Sequence, residues 1–260
     1  MTQKDGPSLG TLDVVVLDGI GRTLAGGLRS RGVHTVADLT TLSAAEISAT
    51  SGGRITPARA ARMLLHARAM TEGRAFVLAG ATPPPPALLL IDLESSADRH
   101  DDPWLVGLLG PGEAEVRQVE SLDPACHGEV IEFVDAALRA VPGARPASWG
   151  SYDRDVLRKC CSRLRVPRPG WLSDWFDAHN WVRRTLVPPC PTYGIKALAG
   201  SLGFAWQHGD VDGYTVGTAY SAWRDRGVPF PRERFREYNR DDVWAMARVM
   251  RRTTALVESA

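Results

Sequence analysis

Four acidic residues in three separated stretches carry the chemistry this sequence offers: Asp92 and Glu94 in LLLIDLES, Asp153 in SWGSYDRDVL, and Asp242 in YNRDDV. Carboxylates are hard oxygen donors of the kind that hold Mg²⁺ and Mn²⁺. Asp92 and Glu94 close the short apolar run 88–91, and the two-residue period of a strand turns both to one face. A carboxylate pair at the end of a core strand is costly to bury without cations, so a metal is expected there. Phosphodiester hydrolysis by paired divalent ions fits these acids. It needs two metals about 3.5–4 Å apart, one activating water and the other stabilising the leaving oxygen. Asp92, deepest on the strand, is the expected bridging ligand. Glu94 and Asp242 would complete one ion, and Asp153 would help hold the second, directly or through water. Tyr238 lies one helical turn before Asp242 in the helically periodic run 233–250, so the two share a face and the tyrosine hydroxyl can orient the attacking water. Asp241 is turned about a hundred degrees away and is expected to be solvated or to support the ligands. Each stretch alone has an ordinary reading: a strand end, a helix capped by Ser151 with acids in its first turn, and a surface helix turn. Their joint occurrence in this order is what points to a nuclease-type site.

The elements that must position these residues follow from patterning. Residues 88–93 and 104–109 read as strands, and 115–120 as a third strand after the Gly110-Pro111-Gly112 turn. A helix over 129–141, a strand over 145–149 and a helix over 153–164 follow, and from about Trp171 the chain reads mostly helical. Tight turns predict an antiparallel opening and the later crossover a parallel addition, hence an α/β mixed sheet flanked by helices. Four consecutive prolines, Pro83 to Pro86, favour an extended spacer. They divide the chain into an all-α module over 1–80, a linker over 81–86 and an α/β domain over 87–260.

The module contains LDGIGRTLAGGLRSRGVHTVADL, in which Gly19-Ile20-Gly21 forms a tight turn between helices. Over residues 12–42 this resembles the helix–hairpin–helix family. SGGRITPARAARMLLHARAM resembles a weaker second copy, with Gly52-Gly53 as hairpin and Ile55, Ala60 and Leu64 facing the core. Glycines let a backbone approach a phosphate closely, and the N–H groups that open the next helix can bind it. Gly19, Gly21, Arg22, Arg54, Arg59 and Arg62 are the candidate contacts, indifferent to base sequence. Docking of protein rather than nucleic acid is the other use of such a module.

Residues 86–255 resemble the DEDD superfamily of 3′–5′ exonucleases, in the subgroup whose third motif runs tyrosine, three residues, aspartate. The nearest likeness is to predicted bacterial ribonuclease-H-like nucleases with a YN..DV third motif and a lysine-bearing helix such as YGIKAL around Lys196, which would contact substrate phosphate. The second motif departs from that pattern, with Trp149-Gly150-Ser151 where many relatives place a polar Asn or His. The resemblance implies a ribonuclease-H-like fold, two Mg²⁺ or Mn²⁺ ions, and catalytic Asp92, Glu94, Asp153, Tyr238 and Asp242. It also implies DNA or RNA as the partner, with a partner nuclease or helicase as a further candidate. A non-catalytic binding module and a ribonuclease-H-type endonuclease are the alternatives.

Composition sets outer bounds. A net charge of +1 argues against a molecule that holds nucleic acid by bulk charge. The excess of basic residues lies in residues 1–80, with nine Arg/Lys against six Asp/Glu. Cys126, Cys160, Cys161 and Cys190 show no zinc spacing and are expected as free, mostly buried thiols. The opening MTQKDGPSLG lacks a charged region followed by an apolar stretch, and no run approaches the ~20 apolar residues of a bilayer span. No signal peptide or membrane span is therefore expected, and a cytoplasmic location is. In WLSDWFDAHNW the tryptophans at 171, 175 and 181 read as core packing before a base-stacking platform. Arg183-Arg184 and the arginines at 232, 234, 236 and 240 read equally as a phosphate channel or a solvated face.

Overall fold

A computed structural model describes residues 9–260; residues 1–8, part of the expected N-terminal module, lie outside the described residues. Along the chain the helices and strands are α1 (Arg22–Arg29), α2 (Val36–Leu39), α3 (Ala44–Thr50), α4 (Pro57–Glu72), β1 (Phe76–Val77), β2 (Leu88–Ser95), β3 (Pro103–Leu109) and β4 (Arg117–Glu120). There follow α5 (Gly128–Ala140), β5 (Arg145–Ser148), α6 (Tyr152–Leu164), β6 (Phe176–Asp177), α7 (Ala178–Thr185), β7 (Leu186–Val187), α8 (Ile195–Ser201), α9 (Gly213–Arg226) and α10 (Arg232–Glu258). Packing groups these into two compact units. The first holds residues up to 81 together with 183–201 and Ala260, and the second holds 82–182 and 202–259.

In the first unit, short helices are started by side-chain caps. Thr35 with Asp38 and Ser43 with Glu46 form reciprocal capping boxes, and Thr56 caps α4 ahead of Pro57. Leu24, Leu28, Val36, Leu39, Ile47, Met63 and Met70 meet in its core. Gly52 and Gly53 both have positive φ, 64° and 76°, which turns the chain sharply from α3 into α4. The Gly19-Ile20-Gly21 turn leads into α1 from a single 3₁₀ turn at Val14–Val16, not from an α-helix as expected. The segment 183–201, which the sequence reading assigned to the α/β domain, groups with this unit. β7 pairs antiparallel with β1, and His66 Nε2 lies 2.7 Å from the carbonyl of Cys190.

The second unit is built on a five-stranded sheet in the order β4-β3-β2-β5-β6. β2 pairs antiparallel with β3, and β3 with β4; β5 pairs parallel with β2, and β6 with β5. The antiparallel start and parallel addition expected from the pattern are both present. On one face Leu89, Ile91 and Leu93 pack with Val130 and Val134 of α5 and Val156 and Leu157 of α6. The strand's period turns Asp92 and Glu94 to the opposite face, where α9 and α10 lie. There Trp104 and Leu105 pack with Val216, Tyr220, Phe235 and Tyr238. β6 lies inside the stretch read as helical. There Phe176 pairs with Ala147 and Asp177 with Ser148 of β5 instead. Trp171 and Trp175 pack against the α5–α6 core, their indole N–H groups donating to Asp135 and Ser148, so they are core residues. Cys160, Cys161 and Cys190 are buried free thiols. No described helix is long and apolar enough to cross a membrane.

Two glycines let the helices close on the sheet. A Cβ at Gly107 of β3 would strike Oδ1 of Asn239 in α10. One at Gly217 of α9 would lie 2.7 Å from the carbonyl oxygen of Ser95 and 3.0 Å from the amide nitrogen of Ala97, both backbone atoms that cannot swing aside. Gly217→Ala is therefore expected to destabilise by about 1–3 kcal/mol through overpacking. Gly26→Ala, on an exposed helix position with nothing within 4 Å, should instead stabilise by about 0.5–1 kcal/mol. Urea unfolding of the two variants checks this, and equal midpoints would contradict the close-approach account.

Candidate metal centre

Three elements converge on the site. The end of β2 contributes Asp92 and Glu94, and the middle of α10 contributes Tyr238 and Asp242. The first turn of α6 contributes Asp153. One carboxylate oxygen each from Asp92, Glu94 and Asp242 lie within 4.8 Å of one another, and Glu94 and Asp242 are only 5% and 8% exposed. The fold thus brings the strand pair and the helical aspartate together. Burial holds the Asp92 carboxyl well above the usual carboxylate range, helped by the charges of Asp242, Glu94 and Asp153. Glu94 is raised likewise by burial and then by Asp242 and Asp153. Burial also raises Tyr238, and the neighbouring carboxylates add to it; its hydroxyl hydrogen-bonds with Asp242.

Asp153 stands outside that trio. Its Oδ1 accepts the backbone N–H of Leu93 at 3.0 Å, between the two strand ligands. β5 pairs with β2 only as far as Leu90 opposite Ala147, so beyond that point a side chain from α6 meets the β2 amide. Burial raises the Asp153 carboxyl to about 6, against the opposing hydrogen bonds from Leu93 and Ser148. Ser151 occupies the cap position of α6 in a helical backbone conformation and makes no side-chain cap, contrary to expectation; the acids Asp153 and Asp155 do lie in the first turn.

The residue that sequence reasoning passed over is Asn239. Fully buried, it donates from Nδ2 to the Asp92 carbonyl at 3.0 Å and to Asp92 Oδ2 at 2.7 Å, while its Oδ1 accepts from Gln118 Nε2 at 2.8 Å. The signal was available in the spacing. Asn239 precedes Asp242 by three and so shares its helical face. Asp241 is corrected as well. It is buried, not solvated, and accepts the backbone N–H groups of Gln207 and His208 at 2.9 and 3.0 Å, pinning the loop that leads to α9.

The candidate contacts of the first unit are described by themselves. Gly21 starts α1 with no side-chain cap. A cleft of about 440 Å³ is lined by Gly21, Arg22, Thr23, Thr50, Gly52 and Arg54, so the two hairpins share one surface. The Arg59 guanidinium lies beside Gly19. Arg62 is engaged internally, donating to the Arg183 carbonyl and, at 3.1 Å, to the Tyr193 hydroxyl. Lys196 sits on α8 of this unit. The arginines considered for a channel are mostly neutralised. Arg232 and Arg236 pair with Glu120, Arg234 with Asp210 and Arg183 with Asp18, while Arg240 donates to Gln118.

Three oxygen acids facing one another, Glu94 and Asp242 buried and Asp92 partly so, with Asp92 and Glu94 raised first by burial and then by their neighbours' charges, fit a hard divalent cation. Removing one charge should therefore stabilise the metal-free protein. Asp242→Asn is expected to raise stability in EDTA by about 1–2 kcal/mol, one or so pKa units of relieved repulsion. The wild type should gain about 2–3 kcal/mol from Mn²⁺ at a hundred times its Kd, and the variant much less. Thermal melts with and without Mn²⁺ check both, and an equal Mn²⁺ response in the variant would rule out these ligands.

A sequence model described as RNase_H superfamily matches residues 89–254, from β2 almost to the end of α10. No curated protein and no solved structure matches the chain. The matched span includes every residue of the carboxylate group and covers more than half of the sequence; the chain belongs to the RNase_H superfamily.

Proposed function

We propose that the chain is a divalent-metal-dependent 3′–5′ exonuclease acting on DNA or RNA. The observation that carries the reading is the converging trio Asp92, Glu94 and Asp242, the last two buried, with Tyr238 hydrogen-bonded to Asp242. Asp92, Glu94 and Asp242 would hold the metal, with Asp153 offering its second oxygen; all-oxygen donors suit Mg²⁺ and Mn²⁺ alike. When bound, such ions supply an activated water and a stabilised leaving oxygen. The remaining residues position and exclude. Asn239 holds the Asp92 carboxylate through one hydrogen bond and the Asp92 backbone carbonyl through another. Asp153 ties α6 to the β2 backbone between the ligands. The Tyr238 hydroxyl, kept protonated by its acidic surroundings, is a donor and acceptor that can orient the attacking water.

The exonuclease direction rests on the tyrosine-x₃-aspartate motif and its likeness to the DEDD group. The helix–hairpin–helix reading of the first unit supports nucleic acid as substrate, because Arg22 and Arg54 flank helix-opening amides on the shared cleft. Neither arginine pairs with a carboxylate among the described residues.

Asp92→Ala should lower turnover about a thousandfold or more. Tyr238→Phe, which removes only the orienting hydroxyl, should cost less, about ten- to a hundredfold in kcat. The assay is Mn²⁺-dependent degradation of 3′- and 5′-labelled DNA and RNA, with a circular substrate alongside. Wild-type turnover by Asp92→Ala would overturn the site. Cleavage of the circle would select an endonuclease, and no hydrolysis despite binding would select a non-catalytic module.

A further inference from the structure

A large cleft of the second unit lies apart from the carboxylate trio. It measures about 1050 Å³ and runs between the β2–β3 loop and α6. Its walls carry five cations, Arg99, Arg158, Lys159, Arg163 and Arg168, against two acids, Asp101 and Asp155. Lys159 and Arg168 pair with no carboxylate among the described residues, Arg168 donating only to Ser162 Oγ. Arg99 and Arg158 have only long, exposed pairings, at 3.8 and 3.6 Å. Such pairings contribute little and exchange readily for a phosphate. By contrast, the arginines around the α10 N-terminus are each held by an acid or by Gln118. Within this cleft the cations thus outnumber the acids, and two of them pair with no carboxylate among the described residues.

The cleft also connects to the site. Its His100 lies 3.3 Å, Nδ1 to hydroxyl, from Tyr152, and the Tyr152 hydroxyl lies 2.6 Å from Ser95 Oγ. Ser95 follows Glu94 on β2, and Tyr152 precedes Asp153 on α6. Tyr152 is 47% exposed, a large ring left in solvent beside buried acids. Its edge-on packing with His100, centroids 5.8 Å apart, fixes its orientation. A positioned aromatic at the head of a basic groove is the combination that binds unpaired nucleotides, by stacking on one and neutralising the phosphates of the next.

We propose that this cleft is a single-strand binding groove, in which Tyr152 stacks a base next to the carboxylates and the α6 cations track the phosphates behind it. The inference deepens the nuclease reading and rests on it for the strand end at Asp92 and Glu94. From Asp155 to Arg163 the helix rises about 12 Å, room for three or four stacked nucleotides at about 3.4 Å each. A duplex offers Tyr152 no unstacked face, so the groove selects single strands.

The test reverses exposed charges in the full-length protein, Arg158→Glu with Lys159→Glu and Arg168→Glu, and separately replaces Tyr152 by Ala or Phe. Binding of labelled 12-nucleotide single strand, duplex and mononucleotide is followed by anisotropy over a salt series in Ca²⁺. Turnover of bis(p-nitrophenyl) phosphate, too small to need the groove, is followed in Mn²⁺. The triple variant should keep that turnover, bind the single strand at least tenfold more weakly, and lose about two units of salt slope. Tyr152→Ala should weaken binding about tenfold and Tyr152→Phe should restore it. Unchanged affinity and slope in the triple variant overturn the groove. So does an equal loss for duplex or for mononucleotide, or a wild type that does not bind the strand. Groove-dependent binding with no Mn²⁺-dependent turnover in the wild type would leave the groove standing and sink the nuclease reading.

Discussion

Mutual repulsion among Asp92, Glu94 and Asp242 is the constraint the rest of the second unit answers to. Left to themselves, three carboxylates within 4.8 Å would swing apart or take up protons. They are kept together by rigid attachment. Two sit on the central strand of the sheet, and the third sits on a 27-residue helix that cannot retreat. The helix is seated by the missing side chain at Gly107, which admits Asn239, and Asn239 in turn grips Asp92 from two directions. On the other side of the strand, Leu89, Ile91 and Leu93 are clamped by α5 and α6. The cost of assembling like charges is thus borne by ordinary packing around them, as is common where a site stores strain for function.

How much of this was legible follows from the range of the signals. The period of two in β2 and of nearly four in α10 are local, so the shared face of Asp92 and Glu94, and of Tyr238 and Asp242, could be read directly. The antiparallel opening was legible because the Gly110-Pro111-Gly112 turn sits in the sequence. Asp241 was not assigned correctly, since its partners lie 34 and 33 positions away, whereas Asn239 was legible from its spacing to Asp242 and was passed over. Ser151 failed as a cap because its own backbone is helical, not extended, at the cap position. Residues 170–187 misled because tryptophans at near-helical spacing serve equally well on a loop that covers a core.

The arginines show why composition is a poor guide to a binding surface. Arg232, Arg234 and Arg236 put three cations in five residues, yet Glu120 and Asp210 absorb their charge. The cations of α6 are spread along the chain and collect only when the helix faces the β2–β3 loop. What a phosphate meets is the charge left after internal pairing, which folding decides.

The return of residues 183–201 to the first unit has a bearing on synthesis. β1 finds its partner strand only when β7 has been made, and by then every strand of the five-stranded sheet has already been translated. The N-terminal unit therefore stays incomplete until residues 183–201 have been made, although its first helices are the earliest to be translated. At about 5–20 residues per second, its Phe76–Val77 edge waits several seconds for cover. The same threading denies the chain a clean cut. A fragment ending at the prolines lacks β7 and α8, and one beginning there carries them without the helices they pack on. Whatever its ancestry, the first unit cannot be passed between genes as one contiguous cassette.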